Sequence, residues 1–393
     1  MQSQHRRQPI SLNSWVSKHT AGNQDREIFA DRSQNAGICS IRGSFLAFVA
    51  YFLGSLHRTD PIKQTKPFSG KPSRENKILI DSNRNARLAS VEMEDRMRGK
   101  TCVITGATSG IGKAAAFALA AKGACLVIIG RNTARGERIS RELRAKYPFA
   151  QFEYRRADLS SLDDVRALAA AISTKHRRID VLINNAGARY DRYHESPDGF
   201  ELTFATNHLG HFLLTCLLWD CLLASGSARI IIVSSSAHAS ARTDGIWLAP
   251  MHGYDRRQAY AKSKLANILF AFELARRLAS TGATSNALHP GAVATGFARN
   301  NGLLSWLRHI TVRGINGTLL SAEKGAETIV YLAADRDVAR TSERYFVNRR
   351  PVDPAPAALE TRMAAALWNS SLQWTKLDES IGATWKYVKP AAF

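Results

Sequence analysis

A chain of 393 residues, 45% hydrophobic and 22% charged, is long enough for a sizeable core and ordinary in composition for a globular protein. Its formal net charge of +21 invites a nucleic-acid or anionic-membrane partner, but no zinc-finger spacing, aromatic RNA-binding signature or basic zipper accompanies it, and no nucleic-acid partner is expected. Five cysteines, Cys39, Cys102, Cys125, Cys216 and Cys221, form no Cys-x-x-Cys pair; they read as buried hydrophobes of a reducing compartment, against a disulfide framework and against a metal site.

Residues 1–96 are rich in Ser, Asn, Gln and Arg and show little periodicity. Their one apolar run, Phe45 to Leu53, is far shorter than the roughly 20 residues that cross a bilayer, and it lies too far along the chain for a secretory signal. Three readings stay open: a disordered basic leader, a targeting or membrane-touching segment, or a stretch upstream of the true start, with Met93 and Met97 as later candidates. Disorder is preferred, with the folded part placed in the cytoplasm.

From Lys100 the texture changes. Thr101 to Thr105 predicts a buried strand, followed by the turn Gly106-Ala107-Thr108-Ser109-Gly110-Ile111-Gly112 and an alanine-rich helix, Lys113 to Lys122. Cys125 to Ile129 predicts a second strand, then comes a charged helix to about Tyr147, and Phe152 to Arg156 a third strand ending at Asp158-Leu159. Ser160 or Ser161 caps a helix from Leu162 to about Lys175, and Val181 to Ile183 is a fourth strand running into Asn184-Asn185-Ala186-Gly187. Phe200 to Leu223 reads as one long apolar helix, Arg229 to Val233 as a strand ending in three serines, and Leu265 to Leu278 as a helical run opened by Tyr260. A strand at Ser285 to Leu288, a helix at Ser321 to Ala334, a last strand at Tyr345 to Val347 and an amphipathic helix from Leu359 to about Trp374 complete the chain. Strands alternating with helices of this length mean βαβ units and a parallel sheet covered on both faces.

Two patterns carry chemistry. A strand that stops at a Gly-x-x-x-Gly-x-Gly turn and enters a helix presents free N–H groups and a helix dipole to an anion such as a pyrophosphate. At the end of the second strand, where NAD-binding proteins often carry an acid, this chain has Arg131, with Lys113 in the first helix. A cation there suits a 2′-phosphate, so NADP(H) is preferred and NAD(H) stays open. The second pattern is Tyr260 and Lys264, one helical turn apart, where the ammonium favours the phenolate.

Together with Asn207, Ser235 and Pro290-Gly291, these motifs make the chain from about Met97 to Asp378 resemble the short-chain dehydrogenase/reductase family. Asn207-His208-Leu209-Gly210-His211-Phe212-Leu213-Leu214-Thr215, Ser263 to Asn267 and Leu367 to Ser371 resemble its retinol-dehydrogenase-like branch. The resemblance implies a single Rossmann-type doubly wound domain over residues 97–378, preceded by the basic extension 1–96 and followed by a tail, 379–393.

The resemblance also implies roles. Tyr260 would be the acid and base, Lys264 would lower its pKa and hold the nicotinamide ribose, Ser235 would donate to the carbonyl oxygen, with Ser234 as the alternative, and Asn207 would hold a relay water. Gly106, Thr108, Ser109, Gly110, Ile111 and Gly112 would cradle the phosphates. Asp158 and Leu159 would meet the adenine, Asn185, Ala186 and Gly187 would line the cofactor, and Pro290, Val293 and Thr295 would flank the nicotinamide. The expected substrate is a lipophilic or mid-sized alcohol, aldehyde or ketone, walled by the Ala237–Gln258 loop and the segments after Pro290, with Trp247, Leu248, Trp306 and Leu307 among them. Oligomeric state stays open, a homodimer through the Asn207 and Tyr260 helices being one outcome, as relatives often pair there.

Three features sit beside this pattern. Ile230-Ile231-Ile232 stands where relatives often have an asparagine, and Arg189 and Arg192 occupy the loop after Gly187. His208 and His211 stand three apart with His238 nearby, but no carboxylate or cysteine partner makes them a metal site. A cofactor-sensing regulator on the same scaffold is the alternative to an enzyme, and it would not need Asn207, Ser235, Tyr260 and Lys264 together.

Overall fold

The computed structural model describes residues 96–244, 247–293 and 319–377. The readings placed on the leader, on Thr295, Trp306 and Leu307, and on the C-terminal tail lie outside the described residues.

Eight strands form one sheet in the order β3-β2-β1-β4-β5-β6-β7-β8. β1 (Thr101–Thr105), β2 (Cys125–Gly130), β3 (Phe152–Arg156), β4 (Val181–Asn184), β5 (Arg229–Val233), β6 (Thr284–His289) and β7 (Tyr345–Val347) run parallel. β1 lies between β2 and β4, with Val103 facing Val127 on one side and Leu182 on the other. Strand order reverses there, which leaves a crevice at the C-terminal ends of β1 and β4, where Rossmann-type sheets bind their ligands.

Helices cover both faces, which is why the central strands read as unbroken apolar runs. On one face lie α1 (Gly110–Ala120) and α2 (Thr133–Lys146), later joined by α7 (Ala322–Ala334), around Ile104, Leu119, Ile128 and Ile329. On the other lie α3 (Leu162–Lys175), α4 (Gly210–Leu217), α5 (Trp219–Leu223), α6 (Arg256–Arg277) and α8 (Thr361–Trp374), around Leu182, Phe212, Ile232, Leu269 and Trp368. Among the described residues no helix is long and apolar enough to cross a membrane.

Caps set several boundaries. Ser161, not Ser160, caps α3 by accepting from Asp164 N at 3.2 Å, while the Ser160 hydroxyl donates to Asp158 at 2.8 Å. Asp255 starts α6 by accepting from the amides of Arg257 and Gln258.

Two expectations need correction. The long helix expected over Phe200–Leu223 is broken: a short turn at Leu202–Phe204 passes into a π turn at Ala205–Leu209, then α4, then a break at Leu218 before α5. Gly210 follows the π turn because a Cβ there would lie 2.1 Å from the Leu159 carbonyl oxygen, so the segment is drawn tight against the β3–α3 connection. The second correction is at the sheet edge, where β7 is not last. β8 (Arg350–Val352) pairs antiparallel with it across a two-residue turn, Asn348 and Arg349, with φ of 49° and 64°. Two successive positive φ values are those of a type I′ hairpin turn.

Candidate active site

The ends of β1, β2, β4, β5 and β6 open on one cavity of about 1250 Å³. Its floor is the glycine turn. Gly106 has φ of +67°, and a Cβ there would come within 2.9 Å of the Ala186 backbone. A Cβ on Gly112 would lie 2.4 Å from both the Gly106 carbonyl oxygen and Asn185 Nδ2. The turn is therefore a bare-backbone cradle, open to the close approach a pyrophosphate requires. Asn185 ties it to β4, its Nδ2 donating to the Thr105 carbonyl at 2.8 Å, and the Thr105 hydroxyl accepts from the amides of Asn185 and Ala186 at 2.9 and 3.0 Å. Thr108, Ser109, Gly110, Ile111, Ala186 and Gly187 line the same wall.

The cavity's far end lies past β2, where Gly130 leaves room for Thr108, whose side chain would sit 2.6 Å from an added Cβ. Arg131 lines this end and donates to the Tyr190 hydroxyl at 3.3 Å. Asn132 and Arg135 join it, and Asp158 and Leu159 line the side across from them. Lys113, expected beside Arg131, points elsewhere: it pairs with Glu142, lies over the Phe117 ring, and does not line the cavity. Its place is taken by Arg135, which sequence reasoning missed because it sits in the second helix rather than in the glycine motif.

At the other end Tyr260, Lys264 and Ser235 face the cavity together, with Pro290 and Val293 beside them. Lys264 is buried, its Nζ donating to the Val233 carbonyl at 3.0 Å and standing 5.8 Å from the centre of the Tyr260 ring. Burial pushes its pKa down to about 8. The serines divide by environment. Ser234 is buried and its hydroxyl donates to the Lys264 carbonyl at 2.7 Å, while Ser235 is half-buried and accepts from Ala237 N at 3.2 Å.

Asn207 is completely buried and is not on the cavity wall; its neighbour Thr206 is. The Asn207 amide accepts from Ala188 N at 2.7 Å and donates to Ala188 O and to Ser263 Oγ, both at 2.9 Å. It thus fastens the π turn to the loop after β4 and to α6. The three histidines are engaged separately: His208 with the Ser371 hydroxyl, His211 with Thr105 and the Asn207 carbonyl, His238 with Ser235 and Ala355.

The Ala237–Gln258 loop reaches the cavity through Ala237, Ser240 and Arg257, but Trp247 and Leu248 within it pack against the core, with the Trp247 ring 6.5 Å from that of Phe204. Among the described residues Arg189 and Ser236 line the cavity with them. Ser240 and Arg257 belong to the expected loop, though no motif marked these two positions in it.

A doubly wound sheet with a bare glycine turn at its switch point, and a tyrosine, lysine and serine sharing the cavity, defines a dinucleotide-binding oxidoreductase scaffold. Comparison with known proteins agrees. The family model for short chain dehydrogenases matches residues 100–303. Human Retinol dehydrogenase 13 is 39% identical over 283 residues, covering 71% of this chain and 86% of its own length. Mouse Retinol dehydrogenase 14 is 39% identical over 285 residues, covering 70% and 85%. Among solved structures, an uncharacterized protein from Mycobacterium Paratuberculosis superposes with a TM-score of 0.56 at 35% identity, over 71% of this chain and 94% of its own. L-Sorbose reductase from Gluconobacter frateurii, complexed with NADPH and L-sorbose, shares the fold at 22% identity and a TM-score of 0.53, over 67% and 98%.

The chain belongs to the short-chain dehydrogenase/reductase family, in its retinol-dehydrogenase-like branch, and is an NAD(P)-dependent enzyme of that family.

Proposed function

We propose that the protein interconverts an alcohol and a carbonyl on a lipophilic or mid-sized small molecule, with NADP(H) as its cofactor and Tyr260 as its acid and base. The observation that carries this is the meeting of Tyr260, Lys264 and Ser235 on the cavity that the glycine turn floors.

The residues fit the dinucleotide. Gly106 and Gly112 admit it because side chains there would collide with backbone, and Arg131 and Arg135 flank the end of β2, whose last residues carry no carboxylate. Arg131 and Arg135 would hold the 2′-phosphate, Asp158 and Leu159 the adenine, and Asn185 and Ala186 the middle of the cofactor. When bound, NADP(H) supplies or takes the hydride.

The rest is done by the chain. In reduction, charge gathers on the carbonyl oxygen; the Ser235 hydroxyl donates to it and Tyr260 delivers its proton there. In oxidation Tyr260 takes the proton back from the alcohol. Lys264 raises the phenolate fraction by its charge. Ser235 is the donor in this reading because the Ser234 hydroxyl is already given to the Lys264 carbonyl.

The test is loss of NADPH absorbance with a panel of aldehydes and ketones, run beside NADH. Turnover by wild type that Tyr260→Phe abolishes supports the reading. Wild type and Tyr260→Phe equally inert across the panel, with NADPH still bound, would end it.

A further inference from the structure

Ser235 caps a single 3₁₀ turn, Ser236–Ser240. So short a turn has little rigidity of its own. The structure supplies a brace from elsewhere. His238 Nδ1 lies 2.7 Å from the Ser235 carbonyl oxygen. On the other side of the ring, Ala355 N–H donates to His238 Nε2 at 3.0 Å, from a segment 117 residues further along the chain.

These two bonds determine the tautomer. Nε2 accepts from an amide, so it holds a lone pair, and the imidazole proton is on Nδ1, donating to Ser235. The ring is only 5% exposed and meets Tyr345 edge-on, with centroids 5.1 Å apart. Burial lowers its pKa, so the neutral ring that can make both bonds is favoured. Tyr345 is buried on β7 and Ala355 follows β8, so the hairpin that ends the sheet holds the ring from two sides.

We propose that His238 is the positioning residue of Ser235: it fastens the serine turn to the backbone at Ala355 and sets where the serine hydroxyl points. This rests on the reading of Ser235 as the donor to the substrate oxygen. A donor held off its position by about an ångström loses much of its effect on the transition state.

The experiment compares His238→Phe, His238→Asn, Ser235→Ala and the double variant Ser235→Ala/His238→Phe. Phe keeps the ring and loses both bonds; Asn can still donate to Ser235. For carbonyl reduction with NADPH, His238→Phe is expected to lower kcat by about 10- to 100-fold, the scale of one misplaced donor, with KM for NADPH unchanged. His238→Asn keeps the Ser235 bond but not the one to Ala355, so it should recover only part of that loss. In the Ser235→Ala background His238→Phe should cost nothing further, because nothing is left to position. The proposal is overturned if His238→Phe leaves kcat alone, if it costs as much without the serine as with it, or if Asn, lacking the Ala355 bond, performs like wild type. Should wild type reduce no carbonyl while binding NADPH, the oxidoreductase reading falls on its own. His238 is then judged by amide exchange at Ala355, where faster exchange in His238→Phe upholds the brace and unchanged exchange overturns it.

Discussion

The imidazole Nε2 of His211 stands 2.9 Å from the hydroxyl of Thr105, deep beneath the cavity floor. His211 Nδ1 lies 3.0 Å from the Asn207 carbonyl oxygen, which can only accept, so Nδ1 carries the proton and Nε2 accepts from Thr105. The Thr105 oxygen in turn accepts from the amides of Asn185 and Ala186. One neutral ring therefore joins the π turn of Asn207 to the strand end that launches the glycine turn. His211→Leu leaves the Thr105 hydroxyl only its longer bond to the Ile183 carbonyl, at 3.3 Å, and should cost about 1 kcal/mol from that bond, read as a lower melting temperature. NADPH affinity should weaken severalfold with it, measured by fluorescence titration. A variant with wild-type affinity would show that the floor does not depend on this link.

Acid sensitivity follows from the same burial. His211 has its pKa pushed down to about 4 by burial and His208 to about 3, from an ordinary 6.5. The unfolded chain binds protons that the folded one refuses, so stability is full above pH 6.5 and falls as pH drops toward these folded values. By pH 5 each histidine should remove about 2 kcal/mol. Melting temperatures measured from pH 7 to 5 should fall steeply in wild type and less steeply in His208→Leu. Parallel curves would refute the assignment.

Much of this was legible in the sequence, because the informative residues are local. A glycine turn between strand and helix must be bare whatever surrounds it, and Tyr260 and Lys264 share a helix face by spacing alone. What could not be read depends on neighbours distant in sequence. The π turn at Ala205–Leu209 is hidden because every residue of it is buried, so no periodicity marks the inserted residue. The β7–β8 turn uses Asn348 and Arg349 at positive φ without a glycine to announce it. Lys113 turns away from the Arg131 end of the cavity because Glu142, on the next helix, takes it.

Lys264 should separate activity from stability. Its folded pKa of about 8 lies below the ordinary 10.5, so below pH 8 the cost of burying the ammonium is present in full, and stability rises as pH climbs from about 8 toward 10.5. Lys264→Met should abolish turnover yet stabilise the fold at pH 7 by about 1–3 kcal/mol, allowing for the lost bond to Val233 O. The gain should shrink as pH approaches 10.5. Chemical denaturation at pH 7 and pH 10 checks both signs, and a Met variant that is less stable at pH 7 contradicts the argument.

Arg131 and Arg135 should decide which dinucleotide is used. Arg131 is steadied by the Tyr190 hydroxyl, and no acidic side chain follows β2 to receive a free ribose hydroxyl. Arg131→Ala should weaken NADPH by about tenfold or more, the worth of one charge-assisted contact, and leave NADH nearly unchanged. Equal losses for both cofactors would mean that Arg131 supports the fold of the site and does not read the phosphate.

The surface of α4 and α6, through which relatives often pair, carries α8 in this chain. Trp368 packs against Phe212 at 5.0 Å and Phe270 at 5.9 Å between ring centres, and Arg277 lies 4.2 Å over its indole. Ser371, one turn along, reaches His208. A partner helix pair would have to displace all of these contacts, and the buried indole alone is worth about 3–5 kcal/mol. Trp368→Ala should therefore lower stability by that amount in denaturant titration. Wild type should show no self-association through this face, because its apolar rings are already satisfied within one chain. Sedimentation of wild type against Trp368→Ala decides it: a wild-type dimer that the substitution dissociates would mean α8 forms an interface, whereas a wild-type monomer means it replaces one.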